Sequence, residues 1–505
     1  MLSHRRLLTN AAVNTLAFIA QIAVSFVMAP VTIAALGDER YGAWSFFESF
    51  LAYMLLFDLG VAASLVRFVP RFVAAGDRDA LNRTYSACLV FFLGIAAVAG
   101  MVGWAVLEFG LQRWLRVPTA MLSEVRTVAL VVVVQFALSL PLSIYPAMLD
   151  GLHAFVTKSL TRTAFLLGRI PVLLVAFHTE SPLLNMVFVL AGANLLESLV
   201  LAWMVFRRLP DLRFVPRQVD RATIRSVSGY SADAFLAMLA GRLAFSTDAF
   251  IIGRWLSLAA IGHFAIANRL IDLAKTILRS ATTTLTPAVS ASEARGDFDA
   301  VRAFLIHGTR LSLYLVLPIQ LALFLFGQPF LLLWLGSEFA ESSTPALWVL
   351  NLTLGLTIAQ SVASRVLYGT GRIRLFARAT LLEGVVNVAL SAALVNRHGI
   401  VGVAWGTTIP HLICCAFVII HVNRILDLSL TRYLRQAWAA PVMLMAIPLA
   451  VWWPISAAMT AWTWPRLFGW GLAGVAPLWC VAAMIERRSW FRSGNAETER
   501  HRRAA

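Results

Sequence analysis

Apolar residues in this chain come in blocks of roughly 20 to 30, separated by short clusters of Arg, Asp, Gly and Pro. A helix needs about 20 consecutive apolar residues to cross the hydrocarbon core of a bilayer. About fourteen blocks reach that length, near 10–36, 42–66, 85–107, 127–149, 154–177, 183–206, 229–253, 258–288, 303–327, 344–368, 375–395, 399–422, 436–459 and 466–485. Leu, Val, Ala and Phe occur all round each predicted helix, unlike the single apolar stripe of a surface helix. The pattern therefore predicts an all-α polytopic membrane protein. Composition agrees: 59% of the 505 residues are hydrophobic and 13% are charged, where soluble domains carry about 25%.

The net charge of +16 does not make this a nucleic-acid binder. About two thirds of the Lys and Arg fall in alternate loops and at the two termini, including Arg5–Arg6, Arg71 to Arg83, Arg207 to Arg225, Arg372 to Arg378, Arg424 to Arg435 and Arg487 to Arg503. Positive residues gather on the cytoplasmic side of membrane proteins, so both termini are expected there. The first apolar run is too long for a cleavable signal. Cys88, Cys414, Cys415 and Cys480 all lie in apolar runs without metal-ligand spacing, and read as small packing residues. No metal site is expected.

The chain repeats itself. Gly42 and Gly262 are 220 residues apart, Pro70…Gly76-Asp77 answers Pro287…Gly296-Asp297, and Gly151 and Gly369 are 218 apart. Six helices per repeat is an even number, so both halves enter the membrane in one orientation, as a parallel repeat. The expected organisation is an N-terminal six-helix bundle (1–206), a basic cytoplasmic connector (207–228), a C-terminal six-helix bundle (229–423), two extra helices (424–486) and a disordered tail (487–505). Outer loops stay below about 20 residues, and paired His ligands, a Gly-rich phosphate loop and a nucleophile elbow are not found. That argues against an enzyme.

Charge inside a membrane helix costs roughly 2.5–3.5 kcal/mol per residue on insertion scales, so each such residue is a functional candidate. In the eighth run Arg269, Asp272, Lys275 and Arg279 project within an arc of roughly 120°. Arg242 adds a cation from the seventh. Asp272 can neutralise Arg269 or Lys275 on its own helix, which leaves surplus positive charge suited to an anionic passenger, since guanidinium grips phosphate well. Asn10, Asn14, Gln21, Ser25 and Thr32 share one face of the first helix, facing water or cargo; a lone Asn there would usually be interhelical glue. Glu48 and Asp58, roughly 15 Å apart on the second helix, suit H⁺ or Na⁺ coupling, or a salt bridge to an Arg elsewhere. Arg169 and Glu197 on neighbouring helices read as a structural ion pair, and Glu383 with His411 invites the same reading. Asp233 and Asp248, near the ends of the seventh helix, cap or pair. Arg67 and Arg365 form an access rim or snorkel to headgroups.

Asp248-Ala249-Phe250-Ile251-Ile252-Gly253, followed by Ile261-Gly262-His263-Phe264-Ala265-Ile266-Ala267, resembles the helix 7–8 signature of polysaccharide flippases. These are the O-antigen and exopolysaccharide transporters of the multidrug/oligosaccharidyl-lipid/polysaccharide exporter superfamily. Pro30…Leu36-Gly37…Tyr41-Gly42-Ala43-Trp44, then Asp58-Leu59-Gly60, is similar to the same family's helix 1–2 pattern. The resemblance covers about residues 7–430. It departs from the family at Leu256-Ser257, where Leu-Gly is common. It implies two six-helix bundles around a V-shaped cavity that opens to each side in turn, in a bacterial inner membrane. The implied cargo is an undecaprenyl-diphosphate-linked oligosaccharide, with cationic residues meeting the diphosphate and a polysaccharide polymerase downstream. No cofactor is implied beyond a coupling H⁺ or Na⁺. Two other readings stay open: a drug or cation antiporter of the same superfamily, and a membrane polysaccharide polymerase or ligase.

Overall fold

The computed structural model describes residues 4–54, 61–109, 115–219, 247–282, 285–372, 374–459 and 461–504. Two compact units divide the chain, Met1–Ala265 and Ile266–Ala505. The first holds α1 (His4–Met54), α2 (Val61–Ala75), α3 (Arg78–Phe109), α4 (Leu122–Leu142), α5 (Ile144–Gly151), α6 (Phe155–Ala176), α7 (Pro182–Arg208), α8 (Asp248–Trp255) and the start of α9 (Leu258–Thr282). The second continues α9 and adds α10 (Leu285–Ala294), α11 (Phe298–Leu335), α12 (Ser337–Asn351), α13 (Leu354–Gly369), α14 (Arg374–Ile425), α15 (Leu430–Tyr433), α16 (Ala439–Leu444), α17 (Ala446–Ala458) and α18 (Trp464–Ala504). The backbone of α18 thus continues in a helix through 487–504, where the sequence reading places a disordered tail.

Among the described residues, nine helices are long and apolar enough to cross a membrane, and one bent pair makes a tenth. Two of the nine each hold two expected runs. α1 would be roughly 75 Å long if straight, more than twice the bilayer core. It breaks at Gly37, whose φ of 70° and ψ of 172° leave the helical region; α14 breaks at Gly399 with φ 56° and ψ −140°. Glycine reaches such angles without the Cβ clash that other residues meet.

The run 344–368, expected to be continuous, is instead two helices, α12 and α13, bent by 42°. A broken helix inside a bilayer exposes carbonyls that lipid cannot satisfy. Here Gln320 of α11 supplies the missing donor. Its Nε2 donates to the carbonyls of Asn351 at 2.7 Å and Leu352 at 3.3 Å. Asn351 Nδ2 donates back to the Gln320 carbonyl at 2.8 Å.

The duplication is visible in local geometry. Gly76 and Gly296 have φ of 68° and 71°. Asp77 and Asp297 then each accept, through Oδ1, a backbone N–H three residues on at 2.9 Å. The chain leaves α5 through backbone bonds from Leu152, His153 and Ala154 to Met148, Asp150 and Leu149. It leaves α13 through the same pattern shifted by 218 residues, from Thr370, Gly371 and Arg372 to Val366, Tyr368 and Leu367.

Both units are knitted by apolar cores, around Phe92, Phe136, Ile144 and Met148 in the first and Val301, Leu305, Val366 and Val418 in the second. Large apolar side chains such as Leu16, Val175 and Met443 point outward instead, as lipid contact permits. In the first unit, the Tyr41-Gly42 corner seats α1 against the start of α9. A Cβ on Gly42 would stand 1.8 Å from the Leu258 carbonyl oxygen, and Gly262 faces Gly42 in turn. Gly42→Val is therefore expected to abolish monodisperse folded protein, read by size-exclusion chromatography of detergent extracts. A serine in place of exposed, lipid-facing Leu16 should leave the profile intact.

Candidate functional site

The first unit contains a cavity of about 370 Å³ between the first arm of α1 and helices α6 and α7. Its polar wall comes mainly from α6. Ser159, Arg162, Thr163 and Arg169 follow one another there at steps of three, one and six residues, which places them within an arc of about 120° on one helix face. Arg162 and Arg169 are two turns apart, roughly 10 Å along the axis. Gln21 enters from α1, and Asn194 and Glu197 from α7.

Glu197 is shared unequally. Its Oε1 lies 3.3 Å from Arg162 Nε, so the ion pair expected with Arg169 forms with Arg162 instead. The reason is spacing: the two arginines lie on one stripe of α6, and a single carboxylate facing that stripe can reach one of them directly. Arg169 interacts with Glu197, and with Glu48 of α1, only through space. Among the described residues its guanidinium has no hydrogen-bond or ion-pair partner. Five N–H donors therefore stand open beside a cavity. The sequence reading passed over Arg162, Ser159, Thr163 and Asn194; the seven-residue spacing of two arginines in an apolar helix is the signal that finds them.

The other predicted site residues are distributed as follows. Gln21 lines this cavity, while Glu48 is exposed on α1. Arg269, Asp272 and Lys275 lie on α9 within the second unit. Asp272 there accepts from Asn268 Nδ2 at 3.1 Å and pairs with Lys275 at 3.7 Å, and the Lys275 side chain is only 11% exposed. Arg242, Asp58 and Asp233, and the side chains of Asn14 and Arg279, lie outside the described residues. Deep in the second unit, Glu383 Oε1 stands 2.6 Å from His411 Nδ1. Among the described residues, no group of three or more His, Cys, Asp and Glu is placed to hold a metal ion.

Chemically, the α6 stripe offers two arginines two turns apart, with the Glu197 carboxylate and the Gln21 and Asn194 amides lining the same cavity. That set can hold an anion at Arg169 while Glu197, Gln21 and Asn194 meet hydroxyls. The volume falls in the range of about 300–1,000 Å³ typical of ligand pockets.

Residues 7–293 match the family described as "Polysaccharide biosynthesis protein". The chain is 24% identical, over 94% of its length and 93% of the relative's, to the "uncharacterized membrane protein EpsK" of Bacillus subtilis (strain 168). It is 27% identical over 37% of its length and 39% of the relative's to the "probable low-salt glycan biosynthesis flippase Agl15" of Haloferax volcanii. Its fold is similar to that of the lipid II flippase MurJ in an inward closed conformation, with a TM-score of 0.72 at 13% identity over 95% of this chain and 99% of that one. It is also similar to an inward-facing multidrug resistance MATE family transporter of the MOP superfamily, with a TM-score of 0.69 at 14% identity over 79% and 93%.

The unequal sharing of Glu197 separates two kinds of arginine. Arg162→Gln breaks the ion pair of a part-buried carboxylate with a half-exposed partner and should lower stability by up to about 1 kcal/mol. Arg169→Gln removes a cation with no hydrogen-bond or ion-pair partner among the described residues and should leave the melting temperature unchanged. Thermal unfolding of the two purified variants checks both.

Proposed function

Because the chain belongs to the polysaccharide biosynthesis protein family, we propose that it is a flippase for an undecaprenyl-diphosphate-linked oligosaccharide. It moves this cargo, chemically unchanged, from the cytoplasmic to the outer leaflet of a bacterial inner membrane by alternating access, with both termini cytoplasmic. Two similar proteins carry flippase in their names, the Haloferax volcanii protein and MurJ. The product, facing outward, would be consumed by a polysaccharide polymerase.

The observation that carries this reading is the open guanidinium of Arg169 beside the cavity. A cation left without a direct partner in an apolar bundle is costly unless something anionic visits it. Phosphate is the anion that guanidinium matches best, through paired N–H donors. Glu197, Gln21 and Asn194 around it suit the hydroxyls and acetamido groups of sugars. The α9 cations fit the same cargo less directly, because Asp272 already holds Lys275.

The test is a flipping assay in proteoliposomes carrying a fluorescent undecaprenyl-diphosphate oligosaccharide, with outer-leaflet label destroyed by a membrane-impermeant reductant. Wild type should equilibrate the label between leaflets. Arg169→Ala should slow this by about tenfold or more, the worth of one charge-assisted hydrogen bond. No movement of any lipid-linked glycan, together with export of small cationic drugs, would overturn the proposal in favour of an antiporter.

A further inference from the structure

Polar contacts between helices of the second unit differ in kind. The Gln320–Asn351 bridge joins two neutral amides. The contact between Glu383 and His411 uses ionisable groups where amides would bind as well. Glu383 sits on the first arm of α14 and His411 on the second, either side of the break at Gly399. Their side chains are 5% and 6% exposed. Burying such a pair carries a desolvation cost that a neutral bridge avoids.

His411 is held at both ring nitrogens. Nε2 lies 2.8 Å from Thr357 Oγ1 of α13 and 3.6 Å from Cys415 Sγ. Nδ1 faces Glu383 Oε1 at 2.6 Å, a distance at which a proton lies between the two atoms, on the carboxyl or on the imidazole. Burial in an apolar core favours the protonation state in which the pair is neutral overall.

We propose that Glu383 and His411 form a proton-binding site, whose single proton leaves for water only when the two arms of α14 part. Loss of that proton takes the neutral pair to −1 inside an apolar core, a charge that water entering between parted arms relieves, so proton occupancy and arm separation are linked. Applied to transport, the site becomes the point at which a proton gradient drives the carrier; this step rests on the flippase reading. Glu383 and, on its own arm, Cys415 are ionisable groups that act on His411. Cys414 acts on Glu383, and α13 contributes the Thr357 hydroxyl. The thiols are thus competing titratable groups.

An infrared-monitored pH titration of the full chain in lipid nanodiscs reads the site without any cargo. Wild type should show a titration step in its carboxyl and imidazole bands. Glu383→Gln should abolish that step, because the amide donates permanently to Nδ1 and holds the arms together. A Cys414→Ser/Cys415→Ser double variant should keep it. Absence of the step in wild type, its survival in Glu383→Gln, or its loss with the thiols would each overturn the site. In proteoliposomes, a pH gradient should change the wild-type flipping rate by about fivefold or more. In Glu383→Asp, which keeps a carboxyl but shortens its reach, that ratio should fall towards one; a ratio equal to wild type would overturn the coupling. If wild type shows the titration step but flips no lipid-linked glycan, the flippase reading fails and the proton site stands.

Discussion

Lipid offers no hydrogen bonds, so every polar group that crosses the bilayer must be satisfied by the protein itself. The structure depends on how that demand is met. Among the described residues many hydroxyls meet it locally, by donating back to a carbonyl three or four residues earlier: Ser45 to Tyr41, Ser139 to Gln135, Thr344 to Ala340, Thr353 to Leu350. Such groups need no partner on another helix. Side chains that cannot satisfy themselves reach across to a neighbour, and those contacts set which helices stay together. Gln320 and Asn351 allow α12 and α13 to bend within the membrane, because the carbonyls freed at the bend are bound. Against this background a group left open is conspicuous, and Arg169 is such a group.

The same rule explains which parts of the fold were legible in the sequence. The apolar runs were legible because lipid imposes a length and an all-round hydrophobicity that few soluble helices share. The repeat was legible because Gly76-Asp77 and Gly296-Asp297 encode the same turn, with glycine for the positive φ and aspartate for the cap. The break at Leu352–Thr353 was not, since neither residue marks a turn and the bend depends on Gln320, some thirty positions away. Sequence periodicity sees one helix at a time.

The candidate site was legible only in part, for the same reason. Gln21, Arg169 and Glu197 stood out as polar residues in apolar runs. Which of them would pair was a question of reach across a helix interface, and Arg162 took the carboxylate. Arg162 lies in the same apolar run, seven residues before Arg169, and taking Arg169 alone missed the stripe. Glu383 and His411 were readable as partners because each stands in the middle of an otherwise apolar run. Their shared proton, by contrast, follows only from the 2.6 Å distance at which the fold brings them together.

These two sites divide the chemistry of a carrier in a consistent way. A group that must bind and release cargo should be unsatisfied when cargo is absent, since any internal partner would have to be displaced at a cost of about 1–3 kcal/mol. Arg169 meets that condition, and Asp272 with Lys275 does not. A group that must register a change of shape should be fully satisfied in one arrangement and frustrated in another. Glu383 and His411 meet that second condition, because their short contact exists only with a proton between them and only while both arms of α14 are packed. Openness towards a ligand and closure upon a proton are opposite requirements, and the fold meets them with different helices: α6 in one unit, α13 and α14 in the other.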